Sequence, residues 1–375
     1  MPYLAPRLLL ALTLTLALLA CTEDVPVATP RVARVHAGWS HTLAVTDHAL
    51  HVWGGNESGQ LGQGDARDRR TPALIAGDWV TMAGGARHSC AIGADGSLWC
   101  WGANPQAQLG VGDRDNRYDP APVGESLDWV AVTCGGLHTC GLQRDHSLWC
   151  WGSNPAGQLG LGEGVEGQAT PQRVPGPADW LAIAARTRHV CGVRMDGSLW
   201  CWGDSSNGQV GLGDTMDRAT PQPVVPDQRF VAVGAGALHS CAIDDASALW
   251  CWGANDMGQL GVGDMVQRTV PIRVGTSVGW TRVGGGFGHT CALREGDELW
   301  CWGSNGSGQL GVGDTDKRLV PVLVSAGYVD VGVGAAQTCG ARADGSVWCW
   351  GENERGQVGV GLGSSLLTPT RIDVD

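Results

Sequence analysis

The chain has 375 residues, with 37 acidic against 25 basic side chains and a formal net charge of -12. A surface of that sign repels nucleic acid and anionic lipid headgroups, so neither is expected as a partner. One lysine, Lys317, leaves almost nowhere for lysine-dependent chemistry.

In chain order, Arg7 precedes a run, 8–20, made only of Leu, Ala and Thr. That is the length of a signal-peptide core and short for a bilayer span. It ends Leu18-Leu19-Ala20-Cys21, which resembles the lipobox of bacterial lipoproteins. The resemblance implies cleavage before Cys21 and lipidation of Cys21. Residues 1–20 are thus expected to be a lipoprotein signal peptide, 21–30 a lipidated cysteine with a tether, and 31–375 the folded body. The expected location is the bacterial cell envelope, at the outer membrane or cell surface, with membrane contact through the lipid alone.

From Arg31 onward one pattern recurs. The tryptophans Trp53, Trp101, Trp151, Trp202, Trp252, Trp302 and Trp350 follow one another at intervals of 48 to 51 residues. A fixed period near fifty marks a repeat architecture whose units bury their faces on one another. Each unit opens with a strand such as 79–83, passes a Gly-x-x-His turn (85–88), and runs through a hairpin to Trp-Cys-Trp-Gly (99–102). The loop Asn104 to Leu109, then Gly112-Asp113, leads to a proline-bearing segment (118–123) suited to an edge strand. If Cys90 faces Cys100, then Ile92 faces Leu98 and the hairpin loop is three residues ending in Gly96, as such loops prefer. Alternation then sets Cys, Ile and Leu on one face and both tryptophans on the other. A small sheet apolar on both faces must be sandwiched, which predicts an all-β, seven-bladed propeller. Because 368–372 resembles 71–75, the C-terminal strand is expected to complete the first blade and close the ring, hiding the sheet edges.

Twelve of the fourteen cysteines form six pairs ten residues apart: Cys90 with Cys100, Cys140 with Cys150, Cys191 with Cys201, Cys241 with Cys251, Cys291 with Cys301, and Cys339 with Cys349. Opposed positions on antiparallel strands lie within disulfide reach. The first repeat lacks both cysteines, having Leu43 and Val52, which argues that the two positions touch. Zinc at His88, Cys90 and Cys100 is the rival reading, disfavoured by the spacing and by an oxidising compartment. Cys134, where other repeats have Gly or Ala, reads as a small buried thiol.

The set Gly-x-x-His-[Ser/Thr], Trp-x-Trp-Gly, Asn-x-x-Gly-Gln-Leu-Gly and Gly-Asp resembles the regulator of chromosome condensation repeat family, over about 31–375. The resemblance implies a seven-bladed propeller, in agreement with the count above. The family's founding member acts on a small nuclear GTPase and on chromatin, partners that a secreted acidic lipoprotein would not meet. A plant ultraviolet photoreceptor of the family uses Gly-Trp-Arg-His-Thr turns, and only 38–42 is similar here. A secreted propeller that inhibits β-lactamases shows the scaffold acting purely as a protein binder.

Histidines recur at one repeat position, His41, His88, His138, His189, His239 and His289, with Gln337 in the seventh. Each is expected to make a local hydrogen bond within its own turn. The aspartates Asp65, Asp113, Asp214, Asp264 and Asp314, each with an arginine four residues on, read as loop ion pairs, since one carboxylate beside an arginine makes a poor calcium site. Function is sought where repeats differ, in the two residues before each histidine position: Trp39-Ser40, Ala86-Arg87, Gly136-Leu137, Thr187-Arg188, Ala237-Leu238, Phe287-Gly288 and Ala335-Ala336. Trp39, Arg87, Leu137, Arg188, Leu238 and Phe287 are therefore the candidate protein-binding face, at one end of the ring. No catalytic constellation, metal set or phosphate loop stands out, and no cofactor is expected. The reading is a monomeric, membrane-anchored binding or scaffold protein with an unidentified protein partner. An inhibitor of a secreted hydrolase is a narrower form of it. The alternative class is an enzyme, a lyase or hydrolase with strongly shifted titratable groups converging over the central channel.

Overall fold

The computed structural model describes residues 33–361 and 363–374. The expected signal peptide, Cys21 and most of the tether lie outside the described residues. Within them the chain is all-β, in seven sheets of four antiparallel strands, each built from consecutive strands. Blade 1 comprises β1 (Arg34–Ala37), β2 (His41–Thr46), β3 (Ala49–Gly54) and β4 (Arg69–Ile75). Blade 2 comprises β5 (Trp79–Gly84), β6 (His88–Gly93), β7 (Leu98–Gly102) and β8 (Arg117–Pro122). Blades 3 to 7 repeat this plan over 129–173, 180–224, 230–273, 280–326 and 328–372.

The hairpin register follows from the alternation. Cys90 pairs with Cys100 and Ile92 with Leu98, and the three-residue loop ends in Gly96 at φ 85°. In blade 1 Leu43 lies opposite Val52, and Asp47 and His48 form the two-residue loop, both at positive φ. All six cysteine pairs are disulfides with Cα atoms 4.1 Å apart. Cys134 is the free thiol among the described residues; it is buried, and burial pushes its pKa up to about 12.

The core is a series of seams between blades. In one seam Leu43, Leu50 and Val52 of blade 1 meet Trp79, Met82 and Trp101 of blade 2. In the next, the Cys90–Cys100 face of blade 2 meets Trp129 and Trp151 of blade 3. Burying one large indole at each seam is worth several kcal/mol, on the order of 3 to 5 by truncation.

The Asn-x-x-Gly-Gln-Leu-Gly loop supplies the polar half of each seam. Asn56 folds the loop back on itself, accepting from the Leu61 amide and donating to the Asp65 carbonyl. Arg69 then pairs with Asp65 at 2.8 Å, and the four equivalent pairs lie at 2.5–2.6 Å, as expected for loop ion pairs. The loop presents the Gln60 carbonyl to the next blade, where it accepts from the Trp101 indole at 2.9 Å and the Ser89 hydroxyl at 2.8 Å. The tryptophan half of the latch recurs at every seam and the hydroxyl half at all but the seam between blades 3 and 4, where Val190 stands; Gln357 of blade 7 accepts from Trp53 and Thr42 of blade 1.

The ring closes differently from the sequence expectation. The last strand, Leu366–Ile372, pairs with Val347–Gly351 as the outermost strand of blade 7 and takes no part in blade 1. The fourth strand of each blade is antiparallel to its own third strand across one connecting loop, so no exchange is needed. Closure rests on an apolar seam in which Val35, Ala44 and Trp53 of blade 1 pack on Ala341, Val347 and Ile372 of blade 7, with the Gln357 latch and a Gly361 amide donating to the Arg70 carbonyl.

Candidate protein-binding face

The loops between first and second strands and those between third and fourth strands emerge at one end of the propeller, here the turn face. Backbone bonds tie four pairs of consecutive turns together. The Trp39 amide donates to Gly85, Gly136 to Thr187, Ala237 to Gly286 and Phe287 to Ala335, at 2.9–3.2 Å. Side chains on these turns therefore stand on a fixed base.

Beneath them lies the histidine belt. His41 bonds through Nε2 to the Ser89 hydroxyl of the next blade at 2.9 Å, His88 to Thr139, His189 to Ser240, His239 to Thr290 and His289 to Thr338. Gln337 completes the circle by donating to the Gly38 carbonyl. This corrects the expectation of a bond within each histidine's own turn: the acceptor is the Ser or Thr that follows the next blade's histidine. Those hydroxyls give their own protons to the Gln carbonyls, so each of these five imidazoles donates through Nε2–H. Nδ1 is left with no protein partner and packs against the turn glycine, except at His189, whose turn has Arg186 there. Burial lowers the pKa of five belt histidines to about 3 and that of His189 to about 4. His138 faces Val190 in place of a hydroxyl, and neither of its ring nitrogens has a protein partner.

Of the candidate face residues, Trp39 of blade 1 and Phe287 of blade 6 are brought together, edge to face with centroids 5.0 Å apart. They meet across blade 7, whose turn carries only Ala335 and Ala336 there. Phe287 keeps 45% exposure and Leu137 40%; Trp39 and Leu238 are half-buried and Arg188 is exposed. Arg87 is exposed and lies 3.5 Å from Glu57, which Arg355 also contacts. Met257, 42% exposed, sits beside the Gly288 turn.

Glu57, Met257 and Arg355 were not legible as face residues from the turns alone. Their signal is a second variable site, the two residues between Asn and Gly-Gln of each third-to-fourth loop. The face thus has an aromatic patch, scattered apolar side chains and a charged rim.

The central channel holds about 310 Å³ and also departs from the repeat. Arg186 stands where six blades have the turn glycine and is buried, reaching across the ring to the Ala37 carbonyl at 3.3 Å. Burial lowers its pKa to about 10, and its Nε and Nη2 have no protein partner. His36 accepts from the Gly84 amide, and burial lowers its pKa to about 3. Asp330 accepts from the Val35 amide and pairs with Arg282, while burial raises its pKa. Aligning the first strands places Asp330 level with Arg34, two residues from the His36 level and four from the Arg186 level. Their backbone levels are thus roughly 6 Å and 13 Å apart along the one channel they line.

A closed ring of seven four-stranded blades, latched by tryptophan and stapled within six blades, defines a disulfide-bonded β-propeller. The chain belongs to the RCC1 repeat family: an RCC1-like domain matches 20–230, and the regulator of chromosome condensation (RCC1) repeat matches 247–293, 297–340 and 344–375. It is 32% identical over 195 residues to the ultraviolet-B receptor UVR8 of Arabidopsis thaliana, across 50% of this chain and 33% of that receptor. The chain is similar in fold to human WBSCR16, with TM-score 0.77, 22% identity, and 87% and 95% of the two chains covered. Yeast RCC1 (Prp20), solved with Kap60, gives TM-score 0.78, 20% identity, and coverage of 99% and 90%. Six disulfides point to an oxidising compartment, and no helix among the described residues is long and apolar enough to cross a membrane.

Proposed function

We propose that the protein is a binding or scaffold propeller without catalytic activity, held at the bacterial envelope by lipidated Cys21 and engaging a protein partner through its turn face. The observation that carries this reading is the Trp39–Phe287 pair, half-exposed on turns that the backbone belt holds fixed. A large aromatic pair on a rigid base binds with little ordering cost, and Trp and Arg are the residues on which interface energy concentrates. The relatives support protein binding as the mode: yeast RCC1 was solved bound to Kap60, and another study of it concerns its binding to Gsp1p and histones. Against catalysis stands the commitment of five belt histidines to neighbouring blades.

Capture from envelope and culture-supernatant extracts tests the reading, with the wild-type protein beside Trp39→Ala/Arg87→Ala/Phe287→Ala. The variant is expected to melt near the wild type, because its substitutions lie outside the seams. Each central anchor is worth about 2 kcal/mol, roughly 30-fold, so the triple variant should lose the partner. A partner retained equally by both would remove the turn face from the account.

A further inference from the structure

The opposite end of the propeller, where the hairpin loops emerge, carries a feature of its own. In blades 2 to 7 the first residue of the inner strand pairs with the last residue of the second strand, as Trp180 with Arg194 in blade 4, Tyr328 with Arg342 in blade 7, and Trp79 with Gly93 in blade 2. In blade 4 the Arg194 guanidinium lies 4.7 Å from the Trp180 ring and 4.2 Å from the Trp200 ring, with its Nε 3.5 Å from Asp179. Blade 7 repeats the stack, Arg342 lying 4.9 Å from Tyr328 and 4.2 Å from Trp348.

Blade 2 has every receiving group and lacks the arginine. Trp79, Trp99 and Asp78 correspond to Trp180, Trp200 and Asp179, but Gly93 stands where Arg194 would be. The space is an open groove of about 750 Å³, lined by Trp79 and Trp99, by Leu74 and Ile75 of blade 1, and by Asp78 and Asp95. In blade 6, where Arg294 holds the position, the corresponding hollow beside Trp280 and Trp300 is about 120 Å³. Asp78 is exposed and meets His48 of the neighbouring hairpin through Oδ1 at 2.6 Å.

We infer that the blade 2 groove receives an arginine side chain presented by a partner protein, stacked on Trp79 and Trp99 and paired with Asp78. The chain itself shows the stack twice, in blades 4 and 7, and the carboxylate beside it in blade 4, Gly327 standing at that position in blade 7. Two aromatic faces and a carboxylate favour a planar guanidinium over a compact ammonium, because only the former stacks while it pairs. The site lies on the face opposite the proposed turn-face contact and does not depend on that reading.

The test is a titration of the purified protein with acetyl-Gly-Arg-Gly-amide, followed on the Trp99 indole N–H resonance, assigned through Trp99→Phe. Saturable shifts in the millimolar range are expected, about 10-fold weaker with the lysine peptide and absent with the citrulline peptide. Gly93→Arg should fill the groove from within and abolish the response. It should fold, because blade 4 carries arginine ahead of the same Asp-Gly-Ser turn, Asp196-Gly197-Ser198 matching Asp95-Gly96-Ser97. Should it unfold, the exposed Asp78→Asn variant carries the same test and should weaken binding about 10-fold. Equal response to the citrulline or lysine peptide, failure to saturate, or wild-type binding by either folded variant would overturn the inference.

Discussion

Lowering the pH from 7 to 4 is expected to unfold the propeller, with the transition driven by its histidine belt. Each belt histidine is neutral in the folded ring, with a pKa of about 3 or about 4 against 6.5 unexposed to the fold. The unfolded chain therefore binds more protons between pH 6.5 and about 3, so stability is full above 6.5 and falls as the pH drops through that window. At pH 5 each histidine contributes about 2 kcal/mol of destabilisation, or on the order of 10 for the belt, comparable with the whole stability of an ordinary domain. Protonation cannot be accommodated in place, because the Nδ1 proton would have no acceptor against the turn glycine. The pH dependence of chemical denaturation should show an uptake of about seven protons across the window, six from the belt and one from His36. Substituting His88 and His289 by Gln, the residue blade 7 already uses at 337, should lower that number by two and move the acid midpoint down. A protein that keeps its fold at pH 4 without loss of stability would contradict this.

Reduction of the six disulfides is the second large effect. Each closes a loop between residues ten apart, worth about 3 kcal/mol in the chain-entropy model, so the set has a ceiling near 18 kcal/mol. At about 2 °C per kcal/mol for a chain of this size, the melting midpoint should fall by up to about 36 °C. The sulfurs are buried at every bridge, so reductant alone should act slowly on the native ring and quickly in denaturant. Thiol titration in denaturant should find Cys134, with Cys21 added only where it carries no lipid. Blade 1, joined by Leu43 and Val52 in place of a bridge, should change least on reduction. Equal melting curves for oxidised and reduced protein would show that the seams alone carry the stability.

What could be read from the sequence was whatever obeys a short period. Alternation placed Cys90 opposite Cys100 and put Trp101 in a seam, and joint replacement at Leu43 and Val52 showed that the positions touch. The partner of His88 was not readable in the same way. It is Thr139, one blade on, and the turn itself carries no trace of it apart from the Ser or Thr that follows most belt histidines. The closing strand was misplaced because repeat phase and blade phase differ: Thr368-Pro369 can begin a repeat in sequence while ending a sheet in space. The candidate turns were legible as positions of variation. That Trp39 and Phe287 meet was not, since it depends on the small Ala335 turn between blades 6 and 1. Arg186 broke a run of six glycines in plain view, and its meaning appears only when the first strands are seen to share one channel.

The account turns on the turn face as the place of contact, and hydrogen exchange on the complex with the captured partner tests that most directly. It predicts slowed exchange in the amides of 38–41, 86–88 and 286–289 and in the loop around Met257, with the hairpin loops of the same blades unchanged. Protection confined to the hairpin loops, or to the outer strands, would contradict it.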